Sequence, residues 1–293
     1  MSWVNAILQG VFLGGLYALF ACGLSLMFGV MRIINLAHGD LAVLGAFLVW
    51  WVATQFGVAP VVAAAFALPV MLALGYLLQV TVLTRSLRSG ELTPLLTTFG
   101  LAIVIQNTLL LVFSPDVRSL GTASPWLTTG SWRITDELTV PYLGLVILLV
   151  AVAVLGGLHL VLQHTGFGRE MRAAAQDPDT AGLVGVPATA VYARATAIAV
   201  GTATIAGTFL ALHSTIDPAS GPVQLIFAFE AVVIGGLGSL RGTLIGGLVL
   251  GVAQTLGAQI DPQYSILAGH LVFLIVLASP QGRLFWRRRE AVA

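Results

Sequence analysis

Asn35, His38 and Asp40 stand close together in an otherwise apolar stretch, and their side chains can donate, accept or exchange protons. In a membrane an ionisable side chain costs at least about 2.5 kcal/mol to insert and by default faces a cavity or a partner. The trio is therefore a candidate lining, or gate, of a path for a polar solute. Asn35 and Gly39 fall on one helical face with His38 beside them, and Gly39 would let a second backbone approach. The same residues could instead form an interhelical hydrogen-bond network that fixes packing. Glu230 carries the same two readings. Gln106, Asn107 and His270 are further polar groups at membrane depth, while His159, His164 and His213 sit near span ends and need no special role.

No enzyme chemistry assembles around these groups. The five histidines lack metal-ligand spacing, no Ser, His and acid fall into an identifiable site, and Gly236-Leu237-Gly238 follows no soluble strand. All 13 basic residues are arginine, which excludes a lysine phosphate-binding loop and a Schiff base, so the chain is expected not to hydrolyse ATP by itself. No cofactor or metal is expected. Cys22 is the only cysteine, which rules out an internal disulfide and reads as an inert packed thiol.

The elements that must position such residues follow from composition. Of 293 residues, 58% are apolar and 9% charged, and mean hydropathy is +0.98. Soluble domains carry about 25% charged residues, so this chain cannot coat a water-soluble globule and belongs in a bilayer. Its formal charge of +1 is too scattered to make a nucleic-acid-binding face. A crossing needs about 20 apolar residues. The gaps between charges give nine spans, near 5–28, 35–56, 60–84, 92–113, 141–163, 191–212, 225–240, 243–260 and 264–280.

The expected fold is an all-α polytopic transmembrane bundle of eight to ten spans, nine preferred, forming a single domain over 1–293. The stretches 31–40 and 229–242 are expected to be broken or re-entrant, which is tolerated at membrane depth only inside protein or beside a watery cavity. The first span lacks the basic start and cleavage site of a signal peptide and is expected to be retained. With the carboxyl end inside, arginines 32, 85, 88, 169, 172, 194, 241, 283, 287, 288 and 289 face the cytoplasm and only Arg118 and Arg133 face out. Asp40 and Glu230 each stand five residues before a glycine in oppositely directed spans, as an inverted repeat would require. The many glycines at helical spacing read as tight packing inside one subunit, with an interface to a second membrane subunit as the alternative.

Two loops are informative. Residues 114–141 form an external loop with Trp126 and Trp132, suited to cap the outer mouth or simply to connect. The inner loop 164–187 holds Gly166, Arg169, Arg172, Asp177 and Gly185. An acid before a helix-forming stretch closed by Gly185 and Pro187 predicts a small capped cytoplasmic helix fit to dock a soluble protein.

These segments carry a resemblance. The run from Gly23 to Val30 with Ile34-Asn35-Leu36-Ala37-His38-Gly39-Asp40 resembles the amino-terminal signature of LivH-type permeases of branched-chain amino acid ABC transporters. The inner loop from Thr165 to Val186 is similar to that family's cytoplasmic loop, and Glu230 to Ser239 with Gly242 to its late glycine-rich block. The resemblance covers nearly the whole chain. It implies an import permease of the bacterial plasma membrane working with a second homologous permease subunit, two cytoplasmic ATPase subunits and an extracytoplasmic solute-binding protein. Gly166, Arg169, Arg172, Asp177 and Gly185 would then belong to the ATPase-coupling loop. Asn35, His38, Asp40 and Glu230 are the expected contacts of a zwitterionic solute. Related permeases carry urea, short amides or aromatic acids, which leaves the cargo open. A proton-coupled secondary transporter using Asp40 or Glu230 is the alternative from another class, but it gives the inner loop no role.

Overall fold

The computed structural model describes residues 3–90, 92–135 and 138–279. The long apolar runs fold as helices because only an internally hydrogen-bonded backbone is stable in lipid. The first two are α1 (Trp3–Met31) and α2 (His38–Phe56). Then α3 (Pro60–Leu78) continues through a π turn (Gln79–Leu83) into α4 (Thr84–Leu87), and α5 (Thr93–Phe113) follows. After the short α6 (Pro125–Thr128) and the antiparallel hairpin β1 (Ser131–Arg133) and β2 (Thr139–Pro141) come α7 (Tyr142–His164), α8 (Gly166–Gln176) and α9 (Pro178–Leu183). The chain ends its described part with α10 (Ala188–His213), α11 (Gly221–Gly235), α12 (Leu240–Ile260) and α13 (Tyr264–Ala278).

Seven of these helices, counting α3 to α4 as one, are long and apolar enough to cross a membrane, and α11 and α13 are shorter apolar helices of 15 residues each. The protein is thus an all-α polytopic membrane protein, with helices at all nine expected positions. Two boundaries differ from expectation. The second helix starts at His38 rather than 35, and the seventh runs over Gly221–Gly235 rather than 225–240. Hydropathy placed neither start: residues 35–37 read as span but turn the chain, and Gly221, Pro222 and Gln224 interrupt the apolar pattern although they are helical.

α1 and α10 form the centre, with 83% and 78% of their spanning residues buried, against 22% for α3 and α5 and 17% for α7. α12 lies against α1 along a glycine seam. A Cβ on Gly14 would strike the backbone of Gly247 and Leu248, and one on Gly251 would strike that of Gly10 and Gly14. Small residues thus let the two helices meet backbone to backbone, and the glycine pattern is explained by packing within this subunit.

The two ends of the bundle are distinct. At one, the hairpin face, Gln9 Nε2 of α1 donates to the Thr139 carbonyl at 3.1 Å and Arg118 pairs with Ile216 through two backbone bonds of 2.8 Å. At the other, the α8–α9 face, Met171 and Ala174 of α8 pack with Met27, Val30 and Leu83. By helix direction, Arg32, Arg85, Arg88, Arg169, Arg172, Arg194 and Arg241 lie at the α8–α9 face, and Arg118 and Arg133 at the hairpin face. The remaining four arginines, at 283 and 287–289, lie outside the described residues.

Two chain reversals shape the middle. Arg32 ends α1 with a left-handed φ of 56°, and the following segment turns back so that α2 starts alongside α1 at Phe20 rather than beyond its end. From the opposite face, 214–220 leads into α11. The first turns of α2 and α11 then touch: a Cβ on Gly39 would collide with the Gly221 carbonyl, and one on Gly221 with Asp40. The two helices leave this junction in opposite directions. The sequence echo does not mark equivalent places, because Asp40 lies in the first turn of α2 and Glu230 in the second half of α11.

Candidate functional site

The junction of α1, α2 and α11 gathers three of the four expected path residues. Asn35 Oδ1 accepts from the Ala37 N–H at 3.0 Å and its carbonyl from the His38 N–H at 3.1 Å, which together turn the chain into α2. His38, fully buried, bonds through Nε2 to the Phe20 carbonyl at 2.8 Å. Since a carbonyl only accepts, Nε2 carries the proton, leaving Nδ1 as a buried acceptor with no partner among the described residues. Asp40, also buried, accepts from Gln106 Nε2 of α5 at 2.8 Å through Oδ1. Thr98 Oγ1, from the same helix, accepts from the Leu36 N–H at 3.1 Å. α5 therefore closes the junction from outside.

Glu230 is not part of that group. It sits on α11 in a second network, paired with His270 Nδ1 of α13 through Oε1. Tyr17 of α1 donates to Gln254 Oε1 of α12 at 2.5 Å, and its ring lies 4.9 Å from that of Phe227. Glu230 Oε2 and Gln254 Nε2 are both buried without a partner among the described residues. One is an acceptor and the other a donor, so the network holds unused hydrogen-bonding capacity of both signs.

Several contributors went unnoticed in the sequence. Tyr17 and Gln254 are far apart in the chain and look like ordinary span residues. Gln79 is another buried amide: it opens the π turn and its Oε1 accepts from Thr196 Oγ1 of α10 at 2.7 Å. A glutamine inside an apolar run was the available signal for both amides. Asn107, by contrast, is exposed on α5 and only bonds back to the Ile103 carbonyl at 2.8 Å.

The loop 164–187 folds as two helices rather than the single one expected. Thr165 caps α8, accepting from the Gly168 N–H at 3.2 Å. Asp177 caps α9: its Oδ1 accepts from the N–H groups of Asp179 and Thr180, each at 3.1 Å, and Oδ2 from the Thr180 hydroxyl at 2.5 Å. The Thr180 hydroxyl and N–H favour the charged form and hold the Asp177 carboxyl below the ordinary carboxylate range. Pro178 opens α9 and Gly185, at a φ of 84°, turns the chain out after it.

The charged residues of this element divide. Arg172 donates to the Leu162 carbonyl at the end of α7, which clamps α8 to the bundle. Glu170 pairs with Arg194 at 3.0 Å, and Arg194 lies over the Phe167 ring at 5.5 Å. Arg169 has no acceptor among the described residues, and Gly166 lies beside it. Beyond α9's last turn, Leu183 and Val184 are 87% and 75% exposed. Both lie outside the helices long enough to cross a membrane.

A family model described as "Branched-chain amino acid transport system / permease component" matches residues 6–278. The high-affinity branched-chain amino acid transport system permease protein BraD of Pseudomonas aeruginosa is 30% identical, across 96% of this chain and 95% of that protein. The corresponding LivH of Escherichia coli is 29% identical, across 97% and 96%. The fructose import permease protein FrcC of Rhizobium meliloti is 28% identical, across 88% of this chain and 72% of its own length.

Proposed function

The chain belongs to the branched-chain amino acid transport system permease-component family, and from that premise we propose that it is the membrane-spanning subunit of an ABC importer for branched-chain amino acids. The match over nearly the full length of BraD and LivH carries this reading, since both relatives bear that cargo in their names. The fructose permease is matched over a smaller share of its own length, which favours the amino-acid cargo. Two cytoplasmic ATPase subunits supply the energy, a second homologous permease completes the membrane part, and an extracytoplasmic binding protein delivers the solute.

The α8–α9 face is cytoplasmic, in keeping with its seven arginines. The capped loop 164–187 seats on an ATPase subunit. Leu183 and Val184 provide the apolar contact, Arg169 an exposed charge, and Asp177 and Gly185 the shape of α9. Arg172 and Gly166 act one step back, by holding α8 in place. The loop 114–141 caps the outer mouth. Closure of the ATPases pushes α8 and α9, and the push reaches the α2–α11 junction through α1 and α10, which both pack on α8. Asn35, His38 and Asp40 then serve as the gate, and Glu230 with Gln254 offers an acceptor and a donor to a zwitterion.

Reconstitution with the partner subunits in liposomes tests this. Leucine uptake should require ATP and survive collapse of the proton gradient, and Leu183→Asp should abolish uptake without loss of the folded permease. Uptake that follows the proton gradient at constant ATP would instead favour a secondary transporter working through Asp40 or Glu230.

A further inference from the structure

Between α7 and α12, at the α8–α9 face, lies a half-open groove of about 290 Å³ whose walls include Val152, Leu155, Gly156, Leu244, His159 and Arg241. Its lining is almost wholly apolar, with Leu160 and Leu240 beside His159 and Arg241 at one end. Gly156 is exposed and a Cβ there would meet nothing within 4 Å, so the groove floor is an open track along α7. His159 stands one turn nearer the end of α7, and Arg241 occupies the first turn of α12. Arg241 is exposed and donates to no acceptor among the described residues, and His159 Nε2 is buried with no partner there either. An exposed guanidinium without an acceptor among the described residues therefore stands at the end of an apolar channel.

We propose that this groove is a binding site for an anionic phospholipid, with the headgroup phosphate on Arg241 and one acyl chain along Gly156 between α7 and α12. Charge complementarity selects this occupant. A guanidinium matches phosphate oxygens in a bidentate fashion, whereas a neutral helix from another subunit would leave it unpaired. The level is right as well: basic pockets between membrane helices on the cytoplasmic side suit anionic headgroups, and this face carries seven arginines. The acyl chain needs only apolar walls and an open floor, which Val152, Leu155, Leu244 and Gly156 supply. The inference rests on the proposed cytoplasmic placement of this face and not on the cargo.

The test is native mass spectrometry of the full-length chain in detergent, with phosphatidylglycerol and phosphatidylcholine of identical acyl chains offered at equal concentration. The wild type should retain phosphatidylglycerol about tenfold better. Arg241→Gln should remove that preference, and Gly156→Leu should lower retention of both lipids while thermal unfolding stays unchanged. Arg241 is exposed, so its variant keeps the proposal testable even if Gly156→Leu folds poorly. Equal retention of the two lipids by the wild type, an unaltered preference in Arg241→Gln, displacement of the lipid by inorganic phosphate alone, or a photo-crosslink from position 156 to a second permease would each overturn it.

Discussion

Gln106 of α5 holds Asp40 of α2 by a 2.8 Å hydrogen bond at the place where α2 and α11 begin. A peripheral helix is thereby fastened to a point where two helix backbones meet. Gln106→Ala leaves Asp40 Oδ1 buried without its donor, at a cost of about 1–3 kcal/mol. Asp40→Asn keeps an oxygen for the amide and should lose less. Thermal unfolding in detergent, run on both variants, checks the order; if Asp40→Asn proves the worse of the two, the bond is not what secures α5.

The junction itself depends on the absence of side chains. Gly221→Ala and Gly39→Ala each drive a methyl into backbone or into Asp40, and overpacking of this kind costs about 1–3 kcal/mol. Gly100→Ala on the outer side of α5 meets nothing within 4 Å and should be silent. Yield of monodisperse protein and its melting temperature report the contrast.

Glu230 and His270 offer a separation of fold from transport. Glu230→Gln keeps an oxygen that can accept from the imidazole, so the permease should melt within a few degrees of wild type, whereas Glu230→Leu strands the ring nitrogen. If Glu230 contacts the solute's ammonium group, the glutamine variant should still lower leucine uptake at least tenfold. Undiminished uptake by that variant removes Glu230 from the path.

Acid should loosen the coupling element. The Asp177 carboxyl titrates below its unfolded value, so its capping contribution is present above the unfolded pKa of about 3.9 and is lost as the pH falls through the lower folded value. Hydrogen exchange of the amides over 178–183 should quicken on acidification below about pH 4. Asp177→Ala should show that faster exchange already at neutral pH, and Asp177→Asn should largely prevent it.

The spans were legible because lipid admits few charges, and gaps between charges are a property of the sequence alone. The start of α2 was not: Asn35, Leu36 and Ala37 read as the first turn of a span, and only the positive φ of Arg32 and the bonds of Asn35 show that the chain is turning there. The polar residues were found individually but not their partners. Asp40 with Gln106, Glu230 with His270 and Tyr17 with Gln254 are pairings across distant helices, which no local period reports. Leu183 and Val184 were passed over because an apolar residue in a short helix ordinarily points inward, and here the turn at Gly185 leaves both outside.

The glycine seam between α1 and α12 has a consequence for how the protein is made. Gly10 and Gly14 meet Gly247 and Gly251, so α1 must wait for the synthesis of α12, far along the chain, before its bare backbone is covered. At synthesis rates of about 5–20 residues per second, that interval is roughly ten to fifty seconds. For that time α1 sits in the bilayer with a stripe of small residues open to any other small-residue helix. Chains arrested before α12 should therefore be degraded or pair wrongly, however well their individual spans insert.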